Sequence, residues 1–102
     1  MKETEFVVNL QLQLMKEGET AIVYCPALDI CGYGSTPEEA KKDFDVALKI
    51  FLDETTTHHT LDKALEELGW KRVMVHKKPQ WIPQIEVLNS NIQQEVHLQI
   101  PA

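Results

Sequence analysis

The sequence predicts a small α+β domain in which an antiparallel sheet packs on one main helix. Two patterns indicate this fold. The first is a pair of apolar strand patterns, residues 6–15 and 20–25, joined by a short polar connection with one glycine. The second is an amphipathic helix pattern over residues 37–54. Taken along the chain, the elements follow the order β-β-β-α-α-β and end in a C-terminal β arm.

The first three predicted strands differ in how far each is buried. In the first strand, Val8, Leu10, Leu12 and Leu14 alternate with polar residues, so one face of the strand is exposed to solvent. The second strand is more continuously apolar and is therefore expected nearer the centre of the sheet. Pro26 has no N–H to donate and ends this pairing. Residues 31–34 form a short third strand, whose two glycines leave the backbone free to bend or to approach another element closely.

The main helix has a clear start and an unusually wide apolar face. Thr36 is the predicted N-cap, Pro37 suits the first helical position, and Glu39 completes a capping box. Val46 and Ile50 lie on a flank of the apolar face and widen its arc to roughly 240°, whereas one packed face needs about 100°. We expect later chain to cover this flank; the alternative is a dimer or partner contact. The predicted buried face comprises Ala40, Phe44, Ala47, Leu48 and Phe51.

The elements after the main helix are shorter. Three consecutive β-branched threonines, residues 55–57, favour leaving the helix. Thr60 is predicted to cap a second helix that runs through Leu68, and this short helix needs a docking surface, for which the Val46/Ile50 flank is the candidate. Residues 70–76 then form a strand, which residues 77–79 end.

The C-terminal segment is predicted to be an extended arm. We assign residues 1–78 to the domain and residues 79–102 to the arm, either in the same folding unit or at a dimer interface. Its last strand could pair within its own subunit or across a two-fold axis; we favour the second, because it covers an unpaired edge and builds a dimer. The candidate partner or dimer contacts are Val46, Ile50, Trp81, Val96, Leu98 and Ile100.

Residue types that perform catalysis or bind cofactors do not fall into a recognisable pattern. The Gly32-Tyr33-Gly34 stretch lacks the third glycine and the lysine of a phosphate-binding loop. Cys25 and Cys31 form no Cys-x-x-Cys pair, and the histidines are not at zinc-ligand spacing from them. We interpret His58-His59 as a solvated linker. The sequence therefore predicts no enzyme, no cofactor and no metal site.

Length and charge narrow the class of protein further. A chain of 102 residues with 43% hydrophobic and 25% charged residues suits one globular domain. The net charge of -6 argues against phosphate-backbone binding as the main activity and suits a basic partner. No stretch approaches the roughly 20 apolar residues of a membrane span. The first five residues have no apolar core of a signal peptide, so we expect a cytoplasmic protein with free thiols.

Residues 21–52 resemble the HicB-like antitoxin family. The likeness lies in Pro26-Ala27-Leu28, in Cys31, in Gly34-Ser35-Thr36 and in Glu38-Glu39-Ala40, which precede the amphipathic helix. Outside this stretch only the order of elements is similar. The chain departs from the family pattern at Ala27, where the family usually has an acidic residue. It also has Asp29-Ile30 instead of Pro-Gly, and Gly-Ser-Thr instead of the commoner Gly-Asp-Thr.

The resemblance implies a partial ribonuclease-H-like fold without nuclease activity. It implies a homodimer, or a higher oligomer, that binds and neutralises a small basic RNA-cleaving toxin of the HicA type. Many members also carry a C-terminal module for operator DNA; no such pattern follows Lys77, so we expect no direct DNA binding by this chain. The alternative is a stand-alone homo-oligomeric domain that binds a ligand or another protein without a toxin partner. A metal-dependent nuclease is the weakest alternative, because the strands lack converging carboxylates.

Overall fold

The computed structural model describes residues 3–90 and 92–101, and it has the predicted α+β fold. Three strands come first, two helices follow, and three further strands complete the described chain. The elements are β1 (Glu3–Glu17), β2 (Thr20–Cys25), β3 (Ile30–Gly34), α1 (Pro37–Thr57), α2 (Leu61–Glu67), β4 (Lys71–Val75), β5 (Lys78–Ile82) and β6 (Ile92–Pro101). Among the described residues, no helix is long and apolar enough to cross a membrane.

The main sheet is antiparallel and has the order β3-β2-β1-β6. The long strand β1 joins its two halves: residues 13–17 pair with β2, whereas residues 3–12 pair with β6. Strands β4 and β5 form a separate two-stranded hairpin. Since side chains alternate between the two faces of a strand, Leu10 and Leu12 of β1 and Val23 of β2 enter the core, while their sequence neighbours face away.

Helix α1 packs against the core face of the sheet at unusually short range. A Cβ atom on Gly32 would overlap the backbone N of Phe44 and the carbonyl O of Ala40, and one on Gly34 would lie 2.6 Å from the backbone N of Ala40. The backbones of α1 and β3 are therefore in direct contact, which explains the predicted close approach at these glycines. Phe44, which is fully buried, fills the space beneath the helix.

The predicted N-cap of α1 is present. The Glu39 carboxylate makes its hydrogen bonds with Ser35, the residue before the N-cap, whereas a standard capping box uses the N-cap residue itself. The Glu39 N–H donates to Thr36 Oγ1 at 3.1 Å, as predicted. The Glu39 carboxylate accepts from the backbone N–H and the hydroxyl of Ser35, at 3.0 and 2.6 Å. These hydrogen bonds from Ser35 lower the pKa of Glu39 and connect β3 to the helix start.

The helix boundaries differ from the predicted ones at two places. Helix α1 continues to Thr57 instead of ending near residue 54. Thr55 is accommodated within the helix, where its side chain is buried and its hydroxyl donates to the carbonyl groups of Phe51 and Leu52. Helix α2 ends at Glu67, and the Thr60 side chain makes no capping hydrogen bond, so the predicted cap there is wrong.

The strand over residues 71–75 is not ended by residues 77–79 as predicted. Instead, His76 and Lys77 form a two-residue turn with φ values of 51° and 65°, and the chain returns as β5. Two-residue hairpin turns require positive φ and usually contain glycine or asparagine, which explains why His-Lys gave no turn signal. Pro79 is tolerated because β5 is an edge strand. The predicted domain boundary after residue 78 therefore falls within this hairpin.

The C-terminal strand pairs within its own chain. Strand β6 forms a ten-residue antiparallel ladder with β1, from Glu3 opposite Pro101 to Leu12 opposite Ile92. The favoured prediction, pairing across a two-fold axis, is not what the structure shows. The reason is the length of β1, whose first ten residues would have no partner without β6, since β2 pairs only with residues 13–17.

Removal of the Phe44 ring should destabilise the fold strongly. We expect Phe44→Ala to lower the free energy of unfolding by about 3–5 kcal/mol, because it leaves a cavity between α1 and the sheet. Lys42→Ala, at an exposed position of the same helix, is the matched control and should change it by less than about 0.5 kcal/mol. Urea unfolding of the two variants measures the difference, and equal midpoints would show that Phe44 does not support the core.

Addition of one methyl group at Gly32 should lower the stability of the fold as much as the loss of the Phe44 ring. The added Cβ atom of Gly32→Ala meets backbone atoms of α1, which cannot rotate away as a side chain can. We therefore expect a loss above the roughly 1–3 kcal/mol of ordinary overpacking. Tyr33→Ala, in the same strand but with an exposed side chain, serves as the control in thermal melts. A Gly32→Ala melt at the wild-type temperature would contradict the close backbone contact.

Candidate protein-interaction surfaces

The flank of α1 that was expected to be covered is open. Val46 and Ile50 are 58% and 54% exposed, one helical turn apart. Exposed charged side chains of both signs border them: the carboxylates of Asp43, Asp53 and Glu54, and the lysines Lys42 and Lys49, of which Lys49 pairs with Asp53 at 2.7 Å. We call Val46, Ile50, Asp43, Asp53 and Glu54 the α1 flank. The prediction that later chain covers Val46 and Ile50 is therefore wrong for the described part of the chain, and the alternative of a dimer or partner contact stays open.

Helix α2 docks elsewhere, which is why the α1 flank remains exposed. Leu61 and Leu65 of α2 are buried in the main core. Directly after α2, the indole N–H of Trp70 donates to the carbonyl O of Ala27 at 2.7 Å. This buried hydrogen bond holds the connection against the loop between β2 and β3, so α2 is fixed at the sheet rather than over Val46 and Ile50.

A second open surface lies on the face of the sheet opposite α1. The register places Met15, Ile22 and Tyr33 in one row across β1, β2 and β3, and Tyr24 and Cys31 in the next row. We call these five residues the aromatic face. Tyr33 is 55% exposed, Met15 is also exposed, and the other three are half-buried. An apolar patch of this kind on an uncovered sheet face is typical of a contact surface for another molecule.

Carboxylates surround the aromatic face and give it a negative environment. The Tyr24 hydroxyl donates to Asp29 Oδ1 at 2.9 Å, and this hydrogen bond is the main reason that the pKa of Tyr24 is raised. The pKa of Tyr33 is raised by its hydrogen bond with Cys31 and by the negative charges of Glu17 and Asp43. Tyrosine rings beside carboxylates favour cationic groups, so this face suits a basic partner.

Asp43 connects the two surfaces. Its Oδ2 atom accepts the backbone N–H of Tyr33 at 2.8 Å, so a helix side chain occupies the free edge of β3. Strand edges with unpaired N–H groups invite pairing with other chains, and a carboxylate at that position discourages it. A partner is therefore expected to contact side chains of these surfaces rather than extend the sheet at Tyr33.

The described residues do not bring together groups that could perform catalysis with a metal. Across residues 3–90 and 92–101, no group of three or more His, Cys, Asp or Glu side chains is arranged to hold a metal ion. Both cysteines are free thiols. Burial raises the pKa of Cys25, which keeps this thiol protonated and makes it a core packing group rather than a nucleophile.

His97 takes part in an exposed cross-strand cluster at the other end of the sheet. Its Nδ1 lies 2.9 Å from Glu5 Oε1 on β1, and its Nε2 lies 3.3 Å from Glu95 Oε1 on β6. The hydrogen bond with Glu5 is the main cause of the raised pKa of His97. His97 also lines an open depression of about 520 Å³ at the end of α1, beside Asp53 and Thr57. The cluster links β1 to β6 more strongly when the imidazole is protonated.

The six predicted contact residues fall into three groups: two are exposed, three are buried, and the side chain of one lies outside the described residues. Val46 and Ile50 are exposed, as a contact requires. Trp81, Val96 and Leu98 are buried in the core of their own chain, so they do not form the predicted contact surface. Ile100 pairs with Thr4 through its backbone, and its side chain lies outside the described residues. Sequence reasoning missed the aromatic face, although the alternation of β2, with Ile22 and Tyr24 opposite the core residue Val23, was a signal for it.

The fold and these surfaces define a small α+β protein with two open apolar surfaces, of which the aromatic face lies among carboxylates. Comparison with known proteins gives no family for it: no protein-family model, curated protein or solved structure matches the chain. The geometry of the described residues is therefore the basis for the functional conclusion.

The His97 cluster predicts a pH-dependent stability. Because the pKa of His97 is raised in the folded protein, its stabilising contribution is fully present below the ordinary pKa of 6.5 and is lost as the pH rises through the folded value. We expect wild type to melt above His97→Gln at about pH 5–6, and the gap to close by about pH 9. His58→Gln, which removes an exposed imidazole, is the control. A wild-type advantage that is constant with pH would contradict the ion pairs.

Proposed function

We propose that this chain is a non-enzymatic antitoxin-like protein that binds and neutralises a small basic RNA-cleaving toxin of the HicA type. The observation that carries this proposal is the aromatic face, an uncovered apolar surface with Tyr24 and Tyr33 among the carboxylates of Glu17, Asp29 and Asp43. Inhibition then consists of covering the toxin's RNA-binding surface, and it needs no chemistry on this chain.

The charges and residue types of the aromatic face suit such a toxin. A protein that cleaves RNA presents Lys and Arg side chains to phosphates, and the same cations can pair with carboxylates on an inhibitor. Tyrosine is enriched at the centres of protein interfaces, because its ring buries a large area while its hydroxyl can still donate. The net charge of -6 adds a long-range attraction that accelerates the encounter with a basic partner.

The resemblance to HicB-like antitoxins supports the proposal through the elements that build this face. Residues 21–52 contain β2, the Pro26 loop, β3 and most of α1. Within this stretch, Gly34, Thr36 and Glu39 have structural roles, since they fix how β3 passes into α1. Cys31 lies on the aromatic face itself. A cytoplasmic location follows from the proposal, since the RNA substrate of the toxin is there, and it suits two free thiols.

A second candidate function is a stand-alone homo-oligomeric domain without a toxin partner. The α1 flank favours it, because an exposed apolar pair, Val46 and Ile50, with charges of both signs around it can bind another copy of the chain. The two candidates predict different roles for the two surfaces: a toxin needs the aromatic face, whereas self-association needs only the α1 flank.

Loss of the aromatic face should abolish neutralisation. If the gene beside this one encodes a small basic protein, its expression should stop growth and co-expression of wild-type chain should restore it. We expect Tyr24→Ala/Tyr33→Ala to weaken binding of that protein by about 10–100-fold, in the range of interface hot spots, and to fail to restore growth. Titration calorimetry with the purified proteins gives the affinities.

Val46→Ala/Ile50→Ala is the matched control for this experiment, since it removes a similar apolar area from the other surface. It should bind the toxin and restore growth as wild type does. Full neutralisation by the tyrosine variant would contradict the assigned surface. RNA cleavage by the purified chain that disappears with one Asp or Glu substitution would contradict the non-enzymatic function itself.

A further inference from the structure

Strand β1 extends beyond the start of β6, the strand that pairs with it on the side opposite β2. Strand β6 begins at Ile92, opposite Leu12, whereas β1 continues to Glu17. Residues 13–17 pair with β2 on one side, and within residues 3–90 and 92–101 no strand pairs with their other side. We call this free side of residues 13–17 the β1 notch. At about 3.4 Å per residue it is about 17 Å long, which suits an added strand of about five residues.

The turn between β1 and β2 determines which backbone groups face the notch. Two residues form this turn, and Glu17 pairs with Thr20 on either side of it. A two-residue turn is closed by a hydrogen-bonded pair, so the N–H and C=O groups of Glu17 and of every second residue before it point to β2. The backbone groups of Leu14 and Lys16 therefore point into the notch. The carbonyl O of Leu12, next in the same series, agrees with this, because it accepts from the hydroxyl of the serine before β6 at 2.7 Å.

Side chains of this chain bind backbone groups of the outer strands of the sheet, but they leave the notch free. On β3, Asp43 accepts the N–H of Tyr33. On β6, the Gln94 amide donates to the carbonyl O of Glu95 at 3.2 Å. Within the described part of the chain, no side chain makes such a hydrogen bond with the backbone of residues 13–17. Unpaired strand groups without this protection invite pairing with a strand of another molecule.

Open depressions lie on both sides of the notch. On the side of α1, a depression of about 410 Å³ has an apolar lining that includes Leu14, Ala21 and Pro37. On the opposite side, a depression of about 300 Å³ is lined by Gln13, Met15 and the polar residues that precede β6. Since side chains alternate between the two faces of a strand, a strand in the notch places them in one depression and then in the other.

The two faces of the notch favour different side chains. The face towards α1 combines the apolar depression with Lys16, which repels a cation, so it favours apolar side chains. The other face carries the exposed carboxylate of Glu17 beyond Met15, so it favours cations. Met15 also belongs to the aromatic face, and an occupant of the notch therefore continues onto that surface. The segment that fits the notch alternates apolar and basic residues.

We propose that an extended segment of the basic partner protein pairs with residues 13–17 of β1 as an added strand of the sheet. Its backbone bonds the N–H and C=O groups of Leu14 and Lys16, its apolar side chains face α1, and its basic side chains face Glu17. Backbone hydrogen bonds then supply affinity, and the two depressions select the side chains. The identity of the partner rests on the proposed function, whereas the notch itself rests on the register and the turn of β1 and β2.

Amide hydrogen exchange, measured by NMR on the full chain, tests the added strand. In the free chain, the amides of Leu14 and Lys16 should exchange faster than that of Met15, whose N–H pairs with β2. When the basic protein encoded beside this gene is bound, exchange at Leu14 and Lys16 should slow by about tenfold or more. A short acetylated and amidated peptide of alternating Val and Lys is the probe that does not depend on that protein. It should slow the same two amides, and the same peptide N-methylated at every residue should not.

A pair of substitutions at Lys16 separates the backbone donor from the side chain. Lys16→Pro removes the N–H that points into the notch, whereas Lys16→Ala loses the same side chain and keeps the N–H. In titration calorimetry, the proline variant should bind the basic protein about tenfold more weakly than the alanine variant. Circular dichroism melts show whether the proline variant is folded, and if it is not, hydrogen exchange on the wild-type chain decides.

The outcomes for the notch and for the proposed function are distinct. Binding of the basic protein without slowed exchange at Leu14 and Lys16 would overturn the added strand and leave the antitoxin function intact. If that protein does not bind, the antitoxin function fails, and slowed exchange with the Val-Lys peptide still supports the notch. Unchanged exchange with both probes would overturn it, and so would amides of Leu14 and Lys16 that are already as slow as that of Met15 in the free chain.

Discussion

The direct contact between the backbones of α1 and β3 at Gly32 determines the arrangement of the rest of the structure. Because no side chain separates the helix from the strand, Phe44 reaches the centre of the core and Asp43 reaches the N–H of Tyr33 at the strand edge. The rotation of α1 about its axis is fixed by the same contact. With Phe44 pointing inward, Val46 and Ile50 must point away from the sheet, at about 100° per residue. The core packing thus creates the exposed flank.

The C-terminal half of the chain completes the fold and presents the charged hairpin. Strand β6 pairs with the part of β1 that β2 leaves free, and Val96 and Leu98 close the core there. The hairpin is anchored by Trp81, whose ring is buried although its indole N–H finds no hydrogen-bond partner within the described part of the chain. An unsatisfied buried donor costs about 1–3 kcal/mol, which is comparable to the gain from burying the ring.

The two open surfaces lie on different layers of the domain. The aromatic face belongs to the sheet and the α1 flank to the opposite layer, with Asp43 between them at the edge of β3. Because the two surfaces lie on different layers of the domain, occupation of the α1 flank would leave the aromatic face accessible.

The sequence by itself determined the fold class, the first three strands and the cap of α1, because these depend on local patterns and on backbone chemistry. At Gly32 it allowed either a bend or a close approach, and the structure shows the close approach. It did not determine the β4–β5 turn, since His76 and Lys77 are not residues that signal positive φ. Nor did it determine where α2 and β6 dock. A row of apolar residues indicates that a surface is buried, but it does not indicate which other surface it packs against. Only the tertiary structure decided that Val96 and Leu98 pack in the core of their own chain while Val46 and Ile50 remain exposed. The reason is that β6 pairs with the free part of β1, whereas α2 docks at the sheet and leaves Val46 and Ile50 uncovered.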